Sequence, residues 1–276
     1  MFDWMLFVCL TLVCLPGIVA TVPGTVRTLG RIARDRLPAA AEMPEPRVIA
    51  VASVFQSLLF IAVAAAIGTF AAPRAGLHAP FFEVLVGGAP LWPAVRPQLL
   101  SSLILGTGGA LIFVTAYYRL FRPRLDAETV RCMEGLRNSI GFWGRVLYGG
   151  IVEEVLIRWG LMSLLVWLGS LLAGGPTPYV VWGSILISGV LFGLGHAPGY
   201  LAAGCRRTPM LFATMIALNL WGSILFGWLF WQYSLLAAMV AHALFHLVWL
   251  PFDLRFSQSA GKGHEAISAL HGEQSA

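Results

Sequence analysis

Six ionisable side chains fall within segments that are otherwise too apolar to hold them: Glu153, Glu154, Arg158, His196, His242 and His246. The sharpest case is the pair of adjacent carboxylates in Gly-Gly-Ile-Val-Glu153-Glu154-Val-Leu-Ile-Arg158. A charge at bilayer depth costs about 2.5–3.5 kcal/mol even on a lenient insertion scale, so such residues are functional by default. Glu154 and Arg158 stand four apart, share a helix face and can pair, which makes them structural, site-orienting residues. Glu153 points about 100° away around the helix and is left over. An unpaired carboxylate in a water-poor pocket is a fitting general base. His242 and His246 are also four apart, the spacing of helical zinc sites. His-Ala-Leu-Phe-His nevertheless lacks the glutamate of the HExxH motif. Together with His196 and Glu153 they make three imidazoles and a carboxylate. Such a set suits two chemistries: zinc binding by all four, or metal-free activation of water with stabilisation of an oxyanion.

Positioning these groups falls to a membrane bundle. Of the 276 residues, 58% are hydrophobic and 11% charged, with mean hydropathy +0.79. Soluble domains carry about 25% charged residues. Seven windows are long and apolar enough to span a bilayer: Trp4–Val22, Val48–Ala72, Leu99–Tyr118, Tyr148–Leu172, Tyr179–His196, Met210–Trp231 and Ser234–Phe252. Only Gln232 and Tyr233 separate the last two, which must form a tight helical hairpin. The expected fold is all-α, one transmembrane domain over 1–256, with a polar, disordered tail at 257–276.

Asp3 and the absence of Lys or Arg before the first window argue against a cleaved signal. With the N-terminus outside, Thr25–Arg47, Arg119–Asn138, Ala197–Pro209 and the C-terminal tail are cytoplasmic. They hold five, five, two and two of the 18 basic residues. The basic pI near 9.3 therefore reflects topology and anionic headgroups, and no nucleic acid is expected as a partner. Thr25–Arg47 should lie along the membrane, and Pro73–Gln98 reads as a short interfacial or re-entrant element outside. Leu125–Ile140 has Val130, Met133, Leu136 and Ile140 at helical spacing, an amphipathic surface helix feeding the fourth span. Cys9, Cys14, Cys132 and Cys205 show no metal spacing and read as small apolar fillers, with no disulfide framework.

Glu-Glu-x-x-x-Arg on one helix, Phe192-x-x-x-His196 on the next and a histidine motif on the last resemble the CAAX protease and bacteriocin-processing (CPBP, or Abi) family of intramembrane endopeptidases. The resemblance covers about Tyr148 to Leu250 and includes the glycine-rich run from Asn219 through Gly222 to Gly227. It implies that Glu153 and His196 activate the attacking water, and that His242 and the residue four later stabilise the oxyanion or contribute to metal binding. Two positions depart from the pattern: His246 stands where the family has Asn or Asp, and Trp159 stands where a glycine follows the arginine.

The expected protein is thus an intramembrane endopeptidase, of glutamic or metallo type, acting on a membrane-associated CAAX-like or leader peptide. Its catalytic set is Glu153, His196, His242 and His246; no cofactor is required by this reading, and zinc is the metal the set would admit. It should sit in a bacterial inner (plasma) membrane with the C-terminus in the cytoplasm, its partners being a peptide or membrane-protein substrate and the bilayer. The rival class is a non-catalytic scaffold, an immunity protein or a proton-linked transporter. No internal repeat of the kind common in transporters is visible.

Overall fold

The computed structural model describes the backbone of residues 2–36 and 44–273, and the side chains of 2–34 and 44–255. Among these there is no strand, and seven helices are long and apolar enough to cross a membrane. They are Trp4–Arg34, Pro46–Ala71, Trp92–Arg124, Ala127–Ala173, Pro178–Ala202, Pro209–Gln232 and Leu235–Arg255. The all-α polytopic expectation holds. The disordered tail expected at 257–276 is corrected in its backbone: the last helix runs on from Leu235 to Glu273, while residues 274–276 lie outside the described residues, as do 37–43 of the loop expected at Thr25–Arg47.

Sequence signals start the spans where the chain needs them. Thr177 and Thr208 each precede a proline, and each hydroxyl accepts from a backbone N–H three residues on, Val180 at 3.4 Å and Leu211 at 3.2 Å. Proline then fills a first-turn position where no N–H is called for. Tyr233 and Ser234 are all that separates Pro209–Gln232 from the last helix, so the expected hairpin is present.

Several boundaries shift. The first span does not end near Val22: a second helix, Leu15–Arg36, continues through much of the expected loop, with Pro23 inside it. The third span begins at Trp92 rather than Leu99, because Pro93 sits in its first turn, where it costs no hydrogen bond. Between the second and third spans a short helix, Pro80–Gly87, buries Phe82 against the core. The amphipathic helix is real, Ala127–Trp143, but it runs into the fourth span with one break at Gly141 (φ 75°, ψ 172°). Its charged residues Glu134 and Arg137 are buried along with Val130 and Met133.

The cysteine reading needs correction. Cys132 and Cys205 form a disulfide that joins the amphipathic helix to the segment after the short helix Ala197–Ala202. Their separation of 73 residues hid the pairing from the sequence. Cys9 and Cys14 are free, as expected.

The fourth span is the hub. Its first part packs on Leu15–Arg36 and the seventh span, and its second part on the second and fifth spans. One close approach is at Gly68, where an added Cβ would lie 2.5 Å from the Trp159 carbonyl oxygen and 2.2 Å from its indole. Trp159 is fully buried, so the indole one residue after Arg158 is housed by a glycine on the neighbouring span. Gly68→Ala should lower the thermal unfolding midpoint in detergent, corresponding to about 1–3 kcal/mol of overpacking. Gly87→Ala, with nothing within 4 Å of the new methyl, should leave the midpoint unchanged.

Candidate active site

The fourth span carries both glutamates at a junction between two widened, π-helical stretches, Gly144–Val152 and Val155–Met162. Such turns recur at functional sites because they turn side chains away from the regular helical register. Glu154 and Arg158 are almost completely buried, at 0% and 1% exposure. Glu154 Oε1 lies 3.1 Å from Arg158 Nη1 one turn away, and the same oxygen accepts from His242 Nδ1 at 2.6 Å. Arg158 Nη2 in turn donates to the Ser223 hydroxyl at 3.1 Å. One carboxylate therefore ties together the fourth, sixth and seventh spans. The Arg158 pairing follows from i,i+4 spacing; the His242 contact, 88 residues away in the chain, had no sequence signal.

His242 is held in a ring stack. Phe226 lies on one face at 4.5 Å between centroids and 19° between planes, and His246 on the other at 5.0 Å and 21°. With Nδ1 bonded to Glu154, Nε2 points towards Glu153, whose Oε2 is 3.7 Å away, beyond direct hydrogen-bond distance. Glu153 is the more open carboxylate, its side chain 20% exposed. On the fifth span, His196 Nδ1 lies 2.8 Å from the Phe192 carbonyl. A carbonyl oxygen can only accept, so Nδ1 holds a proton, and in the neutral ring Nε2 keeps a free lone pair.

His246 is placed differently. Its Nε2 is buried without a hydrogen-bond partner and rests on Gly149, where a Cβ would lie only 2.1 Å from it. Gly149 is thus the close-packing position that admits the imidazole. Asn219 bonds the Met215 carbonyl of its own helix at 2.8 Å rather than a neighbouring helix, and it lines the cavity.

Glu153, Arg158, His196, His242 and His246 all line one cavity of about 170 Å³ enclosed mainly by aromatic and aliphatic side chains. The structure brings together every residue that the sequence proposed for the site, with Glu154 behind the wall. A second, larger groove of about 720 Å³ runs between the first, second and fourth spans and shares Glu153, His196 and Tyr148 with the inner cavity. Among the described residues no three His, Cys, Asp or Glu side chains are disposed to hold a metal ion.

The far end of the inner cavity contains charges the sequence reading left unassigned. Asp253 is buried between Arg137, at 2.9 Å, and Arg145, and accepts a hydrogen bond from Tyr118 at 2.7 Å. Sequence position put Arg137 on the amphipathic surface helix and gave Asp253 no part. Long-range packing is what joins them.

Residues 137–248 match the family model of Rce1-like type II CAAX prenyl endopeptidases. That stretch contains all six residues singled out above and agrees with the CPBP resemblance. It supports CAAX-type endopeptidase activity within a membrane. No curated protein and no solved structure matches the chain.

Removing one partner of a buried ion pair leaves the other uncompensated, at a cost of about 3–5 kcal/mol. Glu154→Gln and Arg158→Met should each destabilise the detergent-solubilised protein by about that much. The double variant should lose clearly less than the two losses added together, as read from unfolding midpoints in a double-mutant cycle.

Proposed function

We propose that this protein hydrolyses a peptide bond near the C-terminus of a prenylated, membrane-associated substrate, using water activated by Glu153 and His196. The observation behind this reading is that Glu153, His196 and His242, from three spans, line one small cavity inside a membrane bundle. The Rce1-like match over the same stretch supports the substrate class.

The chemistry follows from the atoms in place. A water between Glu153 and His196 donates one hydrogen to the free Nε2 of His196, which orients it. Glu153 takes the other proton as the water oxygen attacks the scissile carbonyl carbon. His242, with Nδ1 fixed on Glu154, presents Nε2–H to the oxyanion that forms. That orienting arrangement follows the logic of a carboxylate–histidine dyad. As the carbon–nitrogen bond breaks, Glu153 returns its proton to the leaving amine.

His246 acts in this reading as a positioning residue that holds the His242 ring plane, since it stacks on that ring and its own Nε2 packs against Gly149. Exclusion of bulk water by the aromatic walls strengthens each of these interactions. The groove between the first, second and fourth spans, lined by residues such as Phe60, Val63 and Leu164, takes the isoprenoid chain. We place the basic loops, and with them the C-terminus, on the cytoplasmic side. The Cys132–Cys205 bond lies on the same face and is compatible with that side only as a labile link, because cytosolic thiols are kept reduced.

The test is cleavage of an S-farnesylated peptide by purified protein in liposomes. Glu153→Gln should lower kcat by about 10²–10⁴-fold, the usual contribution of a general base, without moving the unfolding midpoint. Full activity of that variant would end the protease reading. Wild-type activity should survive chelator treatment, with elemental analysis finding no stoichiometric zinc.

A further inference from the structure

The inner cavity has two electrically different ends. One is lined by Glu153, Arg158 and His242, with Glu154 behind them. The other holds two guanidinium groups, Arg137 and Arg145, facing a single carboxylate, Asp253. Both arginines are more than nine-tenths buried. Arg137 is fully engaged: Nε and Nη2 bond Asp253 at 3.2 and 2.9 Å, Nη2 also bonds the Tyr117 hydroxyl at 3.3 Å, and its plane lies 4.5 Å above the Trp249 ring. Arg145 is not. Its Nη2 is on Asp253 and its Nε donates to the Arg137 carbonyl at 3.2 Å, but Nη1 is buried with no partner. A buried cation left in excess, with an unused donor, is costly unless an anion completes it.

We propose that Arg145, supported by Arg137, binds the free C-terminal carboxylate of the substrate. The separation fits. Arg145 stands two turns before Glu153 on the fourth span, and Asp253 three turns after His242 on the seventh, so the two ends lie about 12–16 Å apart at 1.5 Å per residue. Four or five extended residues cover that span at about 3.3 Å each. A carboxylate held by Arg145 therefore sets the scissile bond a few residues from the chain terminus. Guanidinium is the group suited to this task, because its fork can hold Asp253 and still present a second pair of donors. Tyr117 and Trp249 wall off this end and keep the contact dry.

This subsite rests on the protease reading, and the experiment separates the two. An S-farnesylated peptide is offered to liposome-embedded protein as the free acid and as the C-terminal carboxamide. Wild type should favour the acid in kcat/KM by about 10- to 100-fold, the value of a hydrogen bond to a charged group. Arg145→Gln should lose that preference through KM, and Arg145→Lys should restore part of it. Binding of the same two peptides to the Glu153→Gln protein supplies a readout that needs no turnover. Equal affinity for acid and amide there, or an equal loss of both in Arg145→Gln, overturns the subsite. Equal affinity is also the result expected if a lipid phosphate occupies the arginines. Failure of wild type to cut either peptide, with acid-selective binding retained, overturns the hydrolytic reading and leaves the anion site standing.

Discussion

A single buried oxygen organises this molecule. Glu154 Oε1 meets Arg158 from its own helix and His242 from the seventh span, in surroundings where an unpaired charge would cost several kcal/mol. Because neither partner can be released cheaply, the three spans around the cavity have one mutual arrangement. The ring stack of Phe226, His242 and His246 builds on that fixed point, and Glu153 is left on the cavity side because its neighbour is engaged. Reactivity and rigidity are thus divided between two adjacent residues of the same type. The widened turns on either side of them let one face the protein and the other face the water.

Much of this could be read from the chain alone, for identifiable reasons. Seven spans follow from runs of apolar residues that no soluble protein would keep, and the Glu154–Arg158 pair follows from helical spacing. That Glu153, His196, His242 and His246 share a cavity was inferred from their rarity in such segments, and the packing puts them together. Misplaced span boundaries had local causes: Pro93 sits in a first turn, where a helix tolerates it, and the helix Leu15–Arg36 runs on through Pro23. Contacts between distant segments left no trace in periodicity. His242 on Glu154, Cys132 on Cys205 and Asp253 between two arginines each join residues more than seventy positions apart.

The division of labour along the chain is equally physical. Every proposed reacting group lies in the second half, within the stretch matched by the Rce1-like family model. The first half supplies the outer wall of the groove and the small residues, such as Gly68 and Ala64, that let the fourth span approach. Close contact between small side chains is how membrane helices associate when lipid offers no hydrophobic advantage. The walls that would shape access are therefore built from residues with no part in the reaction.

Gly141 has a consequence that reaches the cationic end of the cavity. Arg137 and Arg145 are eight positions apart; on an unbroken helix their α-carbons would be separated by about 12 Å along the axis. The break between them folds one back so that both clasp Asp253. Backbone angles of φ 75° and ψ 172° are open in practice only to glycine, since any handed amino acid would drive its β-carbon into the main chain. The meeting of those two guanidinium groups thus depends on one achiral residue in the stretch between them.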